Sequence, residues 1–397
     1  DVLKRSKTLF QDIEVFLNDQ RENQPLGRYG QKQRVTPGAR TLAGWSNIEI
    51  AWDNLRSEIE KLLQRLRKLY DIIGEIAEEE TALLDIEVGI RSGGQEIRDL
   101  LKQLDEFFFE PDIDTIYWIS LNNSSNRLRL HAAPLQVGSL IEKHLWHAKD
   151  TVAMTSATLT TGGDFDYIRK RLGAEDADEL VFGSPFDYET STLLYLVRDI
   201  PEPNDKGYQQ VFTSSLSHLC RAVGGRTLVL FTSHSQLRAT ARSITDPLQK
   251  EGIQVFSQHE GASRHALLES FKETERAVLL GTRSFWEGVD VPGEALSVVA
   301  IARLPFDVPR DPIIAARSET FESPFGEYML PEAILRFRQG FGRLIRTRSD
   351  RGVVVAYDKR LLSKDYGRLF IDSLPRCTVR DGNMNALAST ASRWLNL

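Results

Sequence analysis

Gln339–Arg346 reads QGFGRLIR. On a helix, Arg343 and Arg346 would stand three residues apart on neighbouring faces, one turn from each other, so both guanidiniums could reach one target. Phe341, Leu344 and Ile345, with Ile334, Leu335 and Phe337 upstream, would bury the opposite side and leave the arginines facing a cleft or water. A planar, permanently charged fork suits a chain of phosphates. The same spacing also describes a solvated helix face, and the surrounding sequence has to decide between the two.

Three further stretches bear on that choice: TSATL at Thr155–Leu159, LVLFTSH at Leu228–His234 and GTRSFWEGVDVPG at Gly281–Gly293. From about Gly207, apolar runs at Thr227–Phe231, Ile253–Phe256, Ala277–Leu280, Ser297–Ile301 and Val353–Tyr357 alternate with helical stretches or loops, the pattern of a parallel sheet covered by helices. The stretches at Leu228, Gly281 and Gln339 fall where predicted strands run out. Ligands bind outside the carboxyl ends of parallel strands. A purely structural reading gives no reason for Gly281, Thr282, Gly288 and Asp290 to gather there.

Taken in order, the four stretches resemble motifs III, IV, V and VI of the superfamily 2 helicases, most closely the DinG/XPD group. QGFGRLIRTRSDRG at Gln339–Gly352 matches the last of them. The resemblance implies an α/β protein in three parts: an all-α, arch-like helical domain over 1–114, the C-terminal part of a first RecA-like domain over 115–206, and a whole second RecA-like motor domain of the P-loop NTPase type, with a parallel sheet, over 207–397. No Gly-rich loop ending in Gly-Lys-Ser/Thr occurs in the chain, nor an Asp-Glu-x-His after a strand. In the resembled group both precede the arch. The chain therefore reads as the C-terminal portion of such a helicase, inactive alone, with ATP and Mg2+ held mainly by the missing N-terminal part and any iron–sulfur cluster lying upstream.

The implied activity is ATP-driven 5′ to 3′ translocation along single-stranded DNA, with unwinding of duplexes in DNA repair or replication. By resemblance, Arg343 and Arg346 are arginine fingers on the nucleotide's terminal phosphates, a role worth on the order of a thousandfold or more in rate. Gln339 positions the nucleotide or water. Gly288 and Gly342 let the backbone approach, while Glu287 and Asp290 bind ribose or hold the fingers. Thr155, Ser156 and Thr158 couple nucleotide state to the DNA groove. Thr232, Ser233, Thr282 and Arg283 match phosphate contacts that need no base identity. Phe285 and Trp286 could stack on bases or fill the core, and the residue pattern leaves both open. Partners would be ATP and single-stranded or forked DNA, for a monomer in the cytoplasm. An ATP-independent binding module, an RNA helicase and a nuclease-linked relative stay open as other readings.

Composition is compatible with this. With 397 residues, 41% of them hydrophobic, the chain is long enough for two or three domains with real cores. A formal charge of -6 means that any DNA contact comes from local patches. Cys220 and Cys377 lie far apart, in no metal spacing, and cannot hold a four-cysteine cluster. No apolar run reaches the length of a membrane span, and no signal peptide is evident.

Upstream, Asp1–Leu17 has helical character, with Leu3, Phe10, Ile13 and Leu17 on one side, as if it were the inside of something longer. Trp45, Ile48, Trp52, Leu55, Ile59, Leu62, Leu66, Leu69, Ile73 and Ile76 step by three and four, a heptad seam predicting one long helix buried along its length. A Gly-rich turn at Arg91–Gln95 would lead to a shorter stripe, Ile97–Phe108, that returns against it. Between them, Asn23–Ile48 mixes Arg28, Lys32, Arg34 and Arg40 with Tyr29 and Trp45. It reads as a solvated loop, with single-strand contact the alternative. Ile116–Leu121 and Leu128–Ala132 are expected as short strands around NNSSN. Val152–Ser156 is expected as a buried strand of an open α/β sheet that includes them.

Overall fold

The computed structural model describes residues 1–21, 30–77, 83–123, 127–258, 261–286, 291 and 293–397. They fall into two compact units, Asp1–Gln136 with Val308–Thr320, and Val137–Asp307 with Phe321–Leu397. The boundaries expected at 114 and 206 are not where the chain divides.

The first unit is built on three helices and a small antiparallel sheet. Helix Val2–Gln20 buries Leu9, Ile13, Phe16 and Leu17, whereas Leu3 and Phe10, expected on the buried side, are exposed. The seam forms one helix, Trp45–Ala77, as predicted. Its burial stops half-way: Trp45, Ile48, Trp52, Leu55 and Ile59 are in the core, but Leu62 is 38% exposed and Leu69 is exposed as well. Its partner is longer than expected, Leu84–Phe108. Arg91–Gln95 is therefore helix rather than turn, since Gly lowers helix propensity without forbidding it. Trp52 joins the two helices, stacking on Phe108 at 5.5 Å and donating from Nε1 to Asp105 Oδ1 at 2.9 Å.

Strand β1 (Gln31–Arg34) pairs antiparallel with β2 (Thr115–Leu121), and β2 with β3 (Leu128–Pro134). The β2–β3 hairpin thus completes the helical unit and does not open the α/β sheet, because Tyr117, Ile119 and Leu121 pack into the helical core. Of the predicted NNSSN turn, 124–126 lie outside the described residues. The loop expected over 23–48 is largely ordered from Gly30 onward; Arg28 and Tyr29 are not among the described residues. Its cations serve the fold. Arg40 donates to the Phe107 and Phe108 carbonyls at 2.7 and 2.9 Å, satisfying a helix C-terminus. Arg34 holds Glu319 through both nitrogens at 2.6 and 2.7 Å, and that hydrogen bond keeps the Glu319 carboxyl below its ordinary range. Lys32 pairs with Asp311 at 2.7 Å, so a helix Pro312–Ser318 is bracketed by two ion pairs to β1.

The second unit carries a seven-stranded sheet in the order β10-β4-β9-β8-β5-β7-β6, with β4 (Thr192–Val197), β5 (Thr227–Leu230), β6 (Gln254–Ser257), β7 (Ala277–Gly281), β8 (Val298–Ile301), β9 (Gly352–Ala356) and β10 (Thr378–Gly382). Every neighbouring pair is parallel. Alternate residues feed opposite cores: Leu194, Leu228, Leu230 and Val354 one face, Leu193, Val229, Val353 and Val355 the other. This two-sided burial is what makes the strands unbroken apolar runs. Five strands lie where expected. β4, wholly buried, was not anticipated, and it extends this sheet upstream of Gly207. Val152–Ser156 is not a strand; it is exposed and without regular structure, since none of the described strands pairs with it and an unladdered strand leaves its amides unsatisfied. No helix among the described residues is long and apolar enough to cross a membrane.

Burial along the seam sets a contrast in stability. Trp52→Ala should lower unfolding free energy by about 3–5 kcal/mol, whereas Leu62→Asp should change it by less than about 1 kcal/mol. Denaturant melts of the two variants check this, and equal losses would show the seam to be covered throughout.

Candidate functional site

Strands β5 and β7 present their carboxyl ends side by side, and the segments that follow them meet at Trp286. After β7, a single helical turn, Arg283–Trp286, returns the chain onto the sheet. Phe285 is fully buried and Trp286 is 2% exposed. The core-packing alternative therefore holds for both, and neither ring is open to a base. Phe285 folds back over Gly281 so closely that a Cβ there would sit 2.4 Å from the ring. Trp286 donates from Nε1 to the Phe231 carbonyl at 3.1 Å, at the end of β5. Its own carbonyl accepts from Arg343 Nε at 3.1 Å. Its ring lies against Gly340, where a Cβ would meet it at 2.9 Å. Trp286, in the second of these stretches, thus touches the other two, at Phe231 and Gly340.

The arginines are not on a helix as the spacing suggested. Helix Leu330–Phe341 ends at Gly342, and Arg343 and Arg346 lie in the turn and extended segment beyond it. Glycines at 340 and 342 weaken continuation, while Phe341, Leu344 and Ile345 stay buried in one core even though the helix has ended. Arg343 Nε is shared between the carbonyls of Trp286 and Gln339, both at 3.1 Å. The chain around Arg346 is shaped by Asp350, which accepts from the Arg346 and Thr347 amides at 2.8 Å. Burial opposes charge on Asp350, yet these bonds and that of the Thr347 hydroxyl hold its carboxyl below the ordinary range. Gln339 is half-buried in the last turn of the helix, its Oε1 buried and not bonded to another protein group. Gly342 donates its amide to the Arg338 carbonyl at 2.8 Å.

The expected strand-contacting groups are in different states. Thr232 is exposed, and Ser233 caps helix His234–Gln249 by accepting from the Gln236 amide. Thr282 is buried, and both its amide and hydroxyl donate to Gln258 Oε1 at 2.8 and 2.7 Å. Its hydroxyl proton is already committed. Arg283 extends outward, 69% exposed, with NH1 3.2 Å from Asp307 Oδ1. Glu287, Gly288 and Asp290 lie outside the described residues.

Thr155 and Ser156 are exposed and Thr158 is half-buried. Ser156 Oγ accepts from the Thr158 amide at 3.1 Å, a local turn that shapes the loop. The loop reaches the Leu330–Phe341 helix through Arg338, which donates to the Ala157 carbonyl at 3.1 Å and to the Thr160 hydroxyl and carbonyl. Arg338, Arg336, Asp307 and Gln258 are the residues that sequence reasoning missed. Their signal was weak: single polar residues in apolar surroundings, at no motif spacing.

Residues 216–377 match a family model described as the helicase C-terminal domain. The chain is 34% identical over 378 residues to the ATP-dependent DNA helicase YoaA of Haemophilus influenzae, covering 93% of the chain and 58% of the relative. It is 36% identical over 290 residues to the 3'-5' exonuclease DinG of Bacillus subtilis, covering 70% of the chain and 31% of that protein. A solved XPD helicase superposes with a TM-score of 0.55 at 15% identity, over 96% of this chain and 63% of that one, a likeness of fold. The chain thus spans less than two thirds of the length of these relatives.

Close packing of Gly340 on Trp286 gives a test. Gly340→Ala should cost about 1–3 kcal/mol through overpacking. Gly74→Ala, in a helix with nothing within 4 Å of the added Cβ, should be neutral or stabilise by up to about 1 kcal/mol. Urea titrations of both decide it, and a neutral Gly340→Ala would mean that the indole can withdraw.

Proposed function

From its likeness to the DinG/XPD-type superfamily 2 helicases, in fold, in its C-terminal domain and in the order of its motifs, we propose that this chain is the C-terminal part of an ATP-dependent DNA helicase that translocates on single-stranded DNA, in the 5′ to 3′ direction, in DNA repair or replication. The observation that carries the reading is the convergence on Trp286: a motor must turn nucleotide state into movement of its strand contacts, and one buried side chain here touches the arginine-bearing segment and the ends of two strands that carry the strand-contacting groups.

Arg343 and Arg346 are the phosphate-facing cations of the proposal. The residues present fit a nucleotide from one side: two guanidiniums behind a glycine-ended helix, and a buried amide oxygen on Gln339 in search of a donor. A magnesium nucleotide supplies the scissile phosphoanhydride when bound. What these residues contribute is charge stabilisation in a water-poor setting. Arg343 is oriented by two carbonyls, and Arg346 by a backbone that Asp350 shapes. Strand contact falls to Arg283, Thr232 and Ser233, a sequence-independent set. Thr282, with its amide and hydroxyl both donated to Gln258, holds the loop in place and makes no strand contact of its own in this arrangement. Arg338 joins the Thr155–Leu159 loop to the same helix, which supports the coupling role assigned to Ser156 and Thr158.

The Bacillus relative named as an exonuclease raises a second reading. Among the described residues no three His, Cys, Asp or Glu side chains are placed to hold a metal ion, so a metal-dependent nuclease site is not assigned to them.

Two measurements bear on the proposal. The 397-residue chain alone should show no DNA-stimulated ATP hydrolysis above background. In a longer polypeptide that supplies the phosphate-binding loop, Arg346→Ala should lower turnover by on the order of a thousandfold, with single-strand affinity within a few fold and the melting temperature unchanged. Arg346→Lys should rescue poorly, because an ammonium keeps charge but loses the fork. An Arg346→Ala protein that melts early yet turns over normally per folded molecule would instead make Arg346 a structural ion-pair partner.

A further inference from the structure

Asp307 stands between the exposed end of the site and the helix that leads to Gln339. It follows β8 at the end of LPFD, Leu304–Asp307, and its side chain is 10% exposed. Its two oxygens are divided between two arginines. Oδ2 accepts from Arg336 NH2 at 2.7 Å, and Arg336 is itself only 11% exposed. Arg336 also donates to the Pro305 carbonyl at 3.2 Å and to Glu332 Oε2 at 3.2 Å. Glu332 in turn accepts from the Tyr167 hydroxyl at 2.6 Å. This inner arm is short, buried and multiply bonded. The outer arm is different: Arg283 approaches Oδ1 at 3.2 Å and is 69% exposed. A buried carboxylate bonded on both oxygens stays where it is, while an exposed ion pair is screened and exchanges readily.

We propose that Asp307 is a positioning residue that restrains Arg283 while no strand is bound and yields it to a backbone phosphate when one arrives, keeping its other oxygen on Arg336. The inference deepens the strand-binding reading above and rests on it. Arg283 has five N–H donors in a fixed fork, and a phosphodiester offers paired anionic oxygens that match it. Asp307 competes with the phosphate for the same guanidinium. When Arg283 leaves, the Asp307 charge falls wholly on Arg336, whose helix, Leu330–Phe341, carries Arg338 and Gln339. Strand occupancy is thereby felt at the helix that ends beside Arg343, without movement of the sheet. Two acidic side chains, Asp307 and Glu332, share Arg336, so the strength of one contact sets the demand on the other.

The test is a double-mutant cycle on the 397-residue chain, with a fluorescent thymidine oligonucleotide as the single-strand probe at low salt. Asp307→Asn should tighten binding about threefold, the worth of an exposed ion pair that the phosphate no longer has to displace from Arg283. Arg283→Gln should weaken it, and in the Arg283→Gln background Asp307→Asn should have no effect. Asp307→Ser, which leaves Arg336 a hydroxyl acceptor, repeats the comparison should the Asn variant melt early. Equal tightening in both backgrounds would mean that Asp307 acts only as bulk charge, and weaker binding by Asp307→Asn would mean that it orients Arg283 for the phosphate; either result overturns the proposal. A wild-type chain that binds no oligonucleotide overturns the strand-binding reading and this inference together, which distinguishes that failure from one in the variants alone.

Discussion

The buried indole of Trp286 is the constraint on which the second unit's site depends. An indole N–H taken out of water needs an acceptor, and here the carbonyl of Phe231 supplies it; leaving such a donor unmatched costs about 1–3 kcal/mol. That bond ties the turn after β7 to the end of β5. The ring then needs a flat, close neighbour, and only a residue without Cβ lets the Leu330–Phe341 helix come near enough. Arg343 completes the arrangement by taking the Trp286 carbonyl. Aromatic side chain, missing side chain and guanidinium are thus three parts of one contact.

This arrangement also explains why the arginines leave the helix. Glycines at 340 and 342 lower the cost of leaving the helix, and Phe341, Leu344 and Ile345 remain buried beyond its end. The chain turns, buries them, and is re-shaped by Asp350 beneath the amides of Arg346 and Thr347. A loop backbone held by its own hydrogen bonds can carry a charged group with less freedom than its lack of regular structure suggests. The contacts of Arg336 and Arg338 work in the same way from the helix side, each placing several donors on carbonyls or carboxylates.

In the first unit the dominant effect is apolar burial around Trp45, Trp52 and Phe108, with cations placed where backbone or carboxylate acceptors need them. Arg40 illustrates how composition misleads. An arginine among glycines and aromatics has the makings of a nucleic-acid contact, but its guanidinium sits over Trp45 at 5.2 Å and closes the end of a helix. A mixed basic and aromatic stretch signals strand binding only when its charges are left without protein partners.

Local pattern alone determined the parallel sheet, the long Trp45–Ala77 helix and the motif-bearing strand ends, because strands buried on both faces and seams of period three and four write their burial directly into the order of apolar residues. It marked Arg343 and Arg346 by their spacing, and the resemblance to the helicase group added Gln339 and Arg283 as polar groups to watch. Only the tertiary structure decided that Phe285 and Trp286 are core, that the arginines lie beyond the helix, that the seam is covered for half its length, and that β2 and β3 complete the helical unit. It also brought Asp307, Gln258 and Arg338 to the site. Each of those outcomes turns on what stands opposite a residue in space, and a partner hundreds of positions away, as Glu319 is from Arg34, leaves no periodic trace near either one.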